Sequence, residues 1–432
     1  MARRSTQVAA AVIGNALEWY DFVVYGFLTV IISRLFFPAE SQYASLLLTM
    51  AAFGVGFFMR PVGGVVLGLY ADRAGRKAAL QLIIALMTLS LGIVALAPPY
   101  AAMGIAAPLL VLLARLLQGF ATGGEFASAT AFLVEIAPAH RRALYGSLQM
   151  VGQSLAALVG ALAGALITRA LSPEQLDAFG WRLPFAFGLL IGPVGLFIRR
   201  HLEETAEFEE SRGKDAQRVR LAALADHGRA LAVTFGLVVC GTISYYVIMV
   251  YMPTFASTEL GLSLGDAFAS QVIALVVLTA VIPLAGALAD RIGCRPVLVG
   301  STAAYFLALL PAFAWLKSEP SALRLSLVQS ALCSVLGVYW GAFSTAVANE
   351  FPTRVRSTGL AVAYNLAVMG FGGFAQVIVT WGIHATGSAL APAFYVMFGA
   401  ATGFVAALYS GSSPPSAQTV SNSSVATGLP NR

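Results

Sequence analysis

Five ionisable residues lie inside stretches that are otherwise apolar: Glu18, Asp21, Arg60, Arg115 and Glu125. A charge at the centre of a membrane helix costs about 2.5–3.5 kcal/mol, so each needs a partner or a wet cavity. Two kinds of chemistry suit these residue types. A carboxylate takes up a proton when desolvated and gives it up when a guanidinium approaches. Asp21 with Arg115 as a switchable partner has the groups for that; a static buried pair is the alternative. An arginine fork grips a carboxylate through two bonds at once. Arg60 suits an anionic ligand in this way, or a structural pair with an acid on a neighbouring helix. Glu18 is three residues from Asp21 on the same helix face, and is either a second proton site or a ligand contact. Glu125 can pair with Arg60 or Arg115.

Depth follows from helix rise. Asp21 lies about twelve residues into the first apolar stretch, roughly 18 Å at 1.5 Å per residue. Arg60 is about as far from the polar Asp72, and Glu125 precedes Glu135 by ten residues. All three are near mid-membrane, with Arg115 further toward the outside.

The elements that must hold these residues are helices. Hydrophobic residues are 58% of the chain and charged residues 11%, and the mean hydropathy is +0.80. Soluble domains carry about a quarter charged residues. Twelve stretches reach the roughly 20 apolar residues a bilayer span requires, near 9–33, 44–70, 78–97, 107–134, 144–170, 184–199, 230–255, 268–289, 297–316, 322–348, 358–383 and 390–409. The strict alternation of a membrane β-barrel is absent. The expected fold is an all-α membrane protein with twelve transmembrane helices in two six-helix bundles, 1–200 and 230–410. A charged linker, 201–229, joins them. A tail rich in Ser, Pro, Asn and Thr, 411–432, has the composition of a disordered segment.

Basic residues set the orientation. With the amino terminus inside, the inner segments hold Arg3, Arg4, Arg73, Arg76, Lys77, Arg141, Arg142, the linker cluster, Arg291, Arg295, Arg354 and Arg356. The outer loops hold only Arg34, Arg169, Arg182, Lys317 and Arg324. Both termini are expected in the cytoplasm, and this bias accounts for the net charge of +6 without a nucleic-acid partner. Cys240, Cys294 and Cys333 are scattered, and the four His lie at or beyond span ends. Neither a metal-ligand spacing nor a nucleophile–base set is visible. The sequence therefore argues against an enzyme, and no cofactor is expected.

The chain also repeats itself. Gly68-Leu-Tyr-Ala-Asp72-Arg73-Ala-Gly75-Arg76-Lys returns as Gly286-Ala-Leu-Ala-Asp290-Arg291-Ile-Gly-Cys-Arg. Glu135-Ile-Ala-Pro with Arg141 and Arg142 returns as Glu350-Phe-Pro with Arg354 and Arg356. Each offset is about half the chain, as expected of parallel repeats in a transporter. Asp72 and Asp290 end their spans, where each can meet arginines or a helix amino terminus in the other bundle and hold an inner gate shut.

These repeated phrases resemble the cytoplasmic signatures of the major facilitator superfamily. Gly14-Asn-Ala-Leu-Glu18-Trp-Tyr-Asp21-Phe, Phe57-Phe-Met-Arg60-Pro-Val-Gly-Gly and Arg115-Leu-Leu-Gln118-Gly-Phe, running to Gly123-Gly-Glu125, are similar to its bacterial metabolite:proton symporter branch. Phe36-Phe-Pro-Ala-Glu-Ser and Ala107-Pro-Leu-Leu-Val-Leu lean toward citrate and tricarballylate members. The resemblance implies alternating-access, proton-coupled symport of a small organic acid, such as citrate or 2-oxoglutarate, across the bacterial inner membrane by a monomer bathed in lipid. A proline or betaine carrier, or a non-transporting receptor or channel on the same fold, is the alternative. Asp21 and Arg115 resemble the helix-1 Asp and helix-4 Arg of sugar porters in the superfamily. Trp340, ten residues before Glu350, resembles their cavity tryptophan. With Arg60 and Glu125, the expected substrate contacts are Gln118, Gln153, Tyr245, Trp340 and Asn365.

Overall fold

The computed structural model describes residues 2–74, 76–123, 125–189, 226–352 and 355–411. The side chains of Glu18, Gly68, Asp72, Arg73, Arg76 and Glu125 lie outside this description, as do Gly75 and Arg354. Most of the expected linker and nearly all of the tail do too.

Helices dominate because the apolar runs leave the backbone no partner but itself. Among the described residues nine helices are long and apolar enough to cross a membrane, and ten if one bent pair counts as a single span. That pair is span 1: residues Val12–Phe27 continue into Thr29–Phe36 at an angle of 64°. The bend has a local cause. The Thr29 hydroxyl donates to the Gly26 carbonyl at 2.7 Å and so intrudes on the helical ladder. Span 2 comprises Gln42–Val55, a tight turn Gly56–Phe58, and Met59–Ala74. Span 3 is Arg76–Leu96, of which Gln81–Leu96 is a shorter apolar helix. Span 4 is Ala106–Ala121 followed, after an interruption, by Glu125–Glu135. Span 5 is Arg142–Ala170. The expected span 6 is described as helix over 182–189.

The second half repeats the plan. Span 7 runs Gly228–Ser244, a π-helical stretch Tyr245–Tyr251, and Met252–Thr258. Spans 8, 9 and 10 are Leu264–Ile292, Cys294–Ser318 and Ala322–Asn349. Span 11 is Arg356–Ala367, a π-helical turn Val368–Gly372, and Ala375–Thr386; span 12 is Ala391–Tyr409. The amino ends of spans 2, 8 and 10 are capped by Ser41, Ser263 and Ser321, each accepting from an N–H three residues on.

Spans 2 and 4 lie backbone to backbone. A Cβ on Gly119 would stand 1.7 Å from the Gly56 carbonyl oxygen, so only glycine fits there. This contact sets Arg60 and Arg115 on neighbouring helices that run in the same direction. The halves meet where span 5 packs on spans 8 and 10, span 4 on span 11, and span 1 on span 7.

Candidate functional site

A cavity of about 390 Å³, counting its open side, lies between the halves at this meeting of spans 1, 2, 4 and 11. Trp19 and Phe22 line it from span 1, Arg60 from span 2, Thr122, Gly123, Phe126 and Ala127 from span 4, and Ala361, Tyr364 and Asn365 from span 11.

Arg60 is its one described cation. Only 2% of its surface is exposed. The guanidinium carbon lies 4.3 Å from the ring centre of Phe57, 4.6 Å from Phe22 and 5.5 Å from Trp19. Such contacts are worth up to about 2 kcal/mol when desolvated. They hold the charge without using its donors, and Nε has no hydrogen-bond partner. The phenols of Tyr245, Tyr246 and Tyr364 lie within electrostatic reach of it from the opposite half. Tyr364 also lies within reach of Gln153 on span 5 and stacks on Phe126, ring centres 3.9 Å apart and planes at 8°.

The expected contacts therefore divide. Arg60 and Asn365 line the cavity. Asn365 donates to the Gly123 carbonyl at 2.7 Å, joining the halves beside the interruption of span 4. Tyr245 lies one layer behind, against Trp19 (5.5 Å) and Trp340 (5.7 Å). The Tyr245 hydroxyl, Trp340 Nε1, Gln153 Nε2 and both amide atoms of Gln118 are buried with no partner. Buried polar groups are usually paired, but none of these four residues belongs to the lining of the cavity. The backbone of Glu125 opens the second segment of span 4, while its side chain lies outside the description, as does that of Glu18.

Asp21 and Arg115 are elsewhere. Asp21 is 3% exposed, and its carboxylate packs toward Gly188 beyond span 5 rather than into the central cavity, since a Cβ there would meet Oδ1 at 3.3 Å. Arg115 is 1% exposed and lies over the Tyr25 ring at 4.3 Å. Its three guanidinium nitrogens have no hydrogen-bond partner, yet Asp21 is near enough to act on it electrostatically.

The residues of the cytoplasmic signatures also part company. Asp290 accepts from the N–H groups of Ala143 and Leu144, at 2.7 and 3.0 Å, so it caps span 5 of the other half. Glu135 pairs with Arg356 across the halves at 3.0 Å. Thr345 donates to the carbonyl of Arg142, whose own side chain is exposed, as is that of Arg291. Glu350 faces inward in its own half, accepting from Ser410 Oγ and Gly411 N. At the opposite end of the molecule Tyr43 and His384 stack 4.0 Å apart across the halves.

Sequence reasoning missed Tyr364, Phe126 and the ring set under Arg60. Phe22 and Phe57 stood within the quoted motifs. In helices apolar all round, no periodicity separates rings facing a cavity from rings facing lipid.

This architecture defines a two-bundle membrane transporter. Residues 11–375 match the Major Facilitator Superfamily, and the chain belongs to that family. It is 39% identical over 396 residues to a citrate-proton symporter of Klebsiella pneumoniae, covering 92% of this chain and 89% of that one. It is 32% identical over 409 residues to a proline/betaine transporter of Salmonella typhimurium, covering 92% and 81%. The crystal structure of a D-xylose-proton symporter shares the fold, with a TM-score of 0.73 at 18% identity over 94% of this chain and 96% of that one. The twelve-helix fold is thereby shown.

Proposed function

We propose that this protein is a secondary transporter that carries a small di- or tricarboxylate with protons by alternating access. The observation that carries the reading is Arg60: a buried cation lining the cavity between the halves, its charge held by rings and its Nε unpartnered. The similarity to citrate-proton symporters supports the substrate class. Arg60 holds a substrate carboxylate, Asn365, Tyr245, Gln153, Gln118 and Trp340 supply neutral polar or aromatic contacts, and Asp21 carries the proton under the control of Arg115. Glu18 and Glu125 are further acids for proton or substrate. Asp72, Asp290 and the Glu135–Arg356 pair close the inner gate. The membrane is the bacterial inner membrane, with both termini cytoplasmic and the chain acting as a monomer.

Energetics sets the proton count. One charge moved through 100 mV is worth about 2.3 kcal/mol. A multivalent anion therefore gains from the potential only if more protons than its own charges move with it.

A zwitterion such as proline or betaine is the second reading, favoured by the ring cluster and by the similarity to a proline/betaine transporter. Against it, the described cation that lines the cavity, Arg60, would repel a quaternary ammonium placed beside the same rings. The test is uptake into proteoliposomes with an imposed proton gradient, using labelled citrate, 2-oxoglutarate, shikimate and betaine. Accumulation of citrate or 2-oxoglutarate that collapses with a protonophore is expected. Accumulation of betaine alone would replace the first reading by the second.

A further inference from the structure

Span 4 does not run through as one helix. Ala106–Ala121 ends, Thr122 and Gly123 turn, and an eleven-residue helix restarts at Glu125. The interruption is built in. A Cβ on Gly123 would stand 2.0 Å from the carbonyl oxygen of Arg60, so glycine is required where span 2 crosses. The Gly123 carbonyl is given to Asn365 of the opposite half. A restarted helix has first-turn N–H groups with no preceding carbonyls to bond and the positive end of its dipole. Those of Phe126 and Ala127 have no acceptor among the described residues, and both residues line the cavity. Arg60 lines the same cavity, 98% buried and with its Nε unpartnered. Two independent anion-seeking features thus border one space.

We infer that the amino terminus of the Glu125–Glu135 helix is the second jaw of the carboxylate site. One carboxylate is clamped between the Arg60 guanidinium and the N–H groups of Phe126 and Ala127. This rests on the reading of Arg60 as a substrate ligand and adds backbone donors that no side chain reveals. It also ties occupancy to gating. The clamped anion sits beside the Asn365–Gly123 bond and the Phe126–Tyr364 stack, both of which join the halves. A ligand that orders the restarted helix also holds the surface on which span 11 docks.

The test removes a backbone donor and leaves every side chain. Ala127 is replaced during translation by its α-hydroxy analogue, so that an ester oxygen stands in place of the N–H. The same exchange at Ala131, inside the helix ladder, controls for lost helix stability. Citrate is the probe, and its affinity for the purified full-length protein is measured calorimetrically. A bond from N–H to a charged group is worth about 1.5–3 kcal/mol. The ester at Ala127 should therefore weaken citrate binding by about tenfold or more, and that at Ala131 by less than about twofold. Equal, small effects at both positions, with Arg60→Gln still weakening binding by about tenfold or more, would overturn the helix-terminus inference and leave the Arg60 reading standing. So would an Ala127 ester that lowers the melting temperature of the ligand-free protein but leaves affinity alone, since the terminus would then be satisfied from within the chain. Failure of citrate to bind the unaltered protein, or normal binding by Arg60→Gln, would overturn the Arg60 reading and this inference with it.

Discussion

Arg60 and Arg115 are both almost wholly buried, and both rest on aromatic rings, but they face different neighbours. Arg60 lines the space between the halves, with three rings beneath it and phenols of the opposite half around it. Arg115 lies within the first half over one ring, its donors unused and Asp21 within electrostatic reach. A cation with a cavity in front of it can exchange ligands. A cation with a titratable acid beside it can change that acid's proton affinity. The same residue type is thus suited to two different tasks, because the helices give it two different neighbours.

The largest effect that can break this comparison is at Asp21. Asp21→Asn cannot take up or release a proton. Uphill accumulation under a proton gradient should fall to background, while exchange of labelled for unlabelled substrate at equal pH persists. Steady-state accumulation ratios measured beside counterflow decide it. Full accumulation by the variant would show that the proton travels elsewhere, with Glu18 and Glu125 next to be tested.

The two arginines should then separate by assay. Arg60→Gln removes the charge that faces the ligand, and affinity should fall by roughly 10–100-fold, the worth of a charge-assisted bond. Arg115→Gln should leave affinity within about threefold but flatten the pH dependence of uptake. Equilibrium binding and initial rates across pH 5–8 measure both. If Arg115→Gln costs as much affinity as Arg60→Gln, the distinction between them fails.

Much of this arrangement was legible because membrane burial makes charges conspicuous. The spans follow from apolar length, and Arg60 stood out because a charge there needs a reason. The repeat pointed to Asp290, whose cap on span 5 needs only a carboxylate at a helix end. Orientation about each helix axis was not legible. Asp21 and Trp19 are two residues apart, yet Trp19 lines the central cavity while Asp21 packs toward Gly188. Gly123 lies against span 2. That the same site restarts a helix beside Arg60 depends on the partner helix, which no spacing records. Glu350 mirrors Glu135 in sequence but binds Ser410 and Gly411 in its own half.

A smaller effect is expected at Asp290, whose two oxygens each accept an N–H of span 5. Asn retains one acceptor and loses the charge facing the helix dipole. Loss of a cap costs about 0.5–2 kcal/mol, so Asp290→Asn should shift the balance toward separated ends by roughly 2–30-fold. Distances between spin labels on the loops beside Ala143 and Ile292 report that shift. Unchanged distances with normal turnover would reduce Asp290 to a static brace.

The smallest predicted effect tests the opposite half's part in the Arg60 site. Tyr364 contributes two separable things: a ring stacked on Phe126 and a hydroxyl within reach of Arg60 and Gln153. Tyr364→Phe keeps the stack and removes the hydroxyl. One ordinary hydrogen bond is worth about 1 kcal/mol, so affinity should fall about fivefold with the melting temperature little altered. Tyr364→Ala removes the stack as well, and should add a loss of stability and of turnover. If Tyr364→Phe leaves affinity untouched while Tyr364→Ala slows transport, the residue acts only as a hinge between the halves. The contrast between Arg60 and Arg115 would then rest on the first half alone.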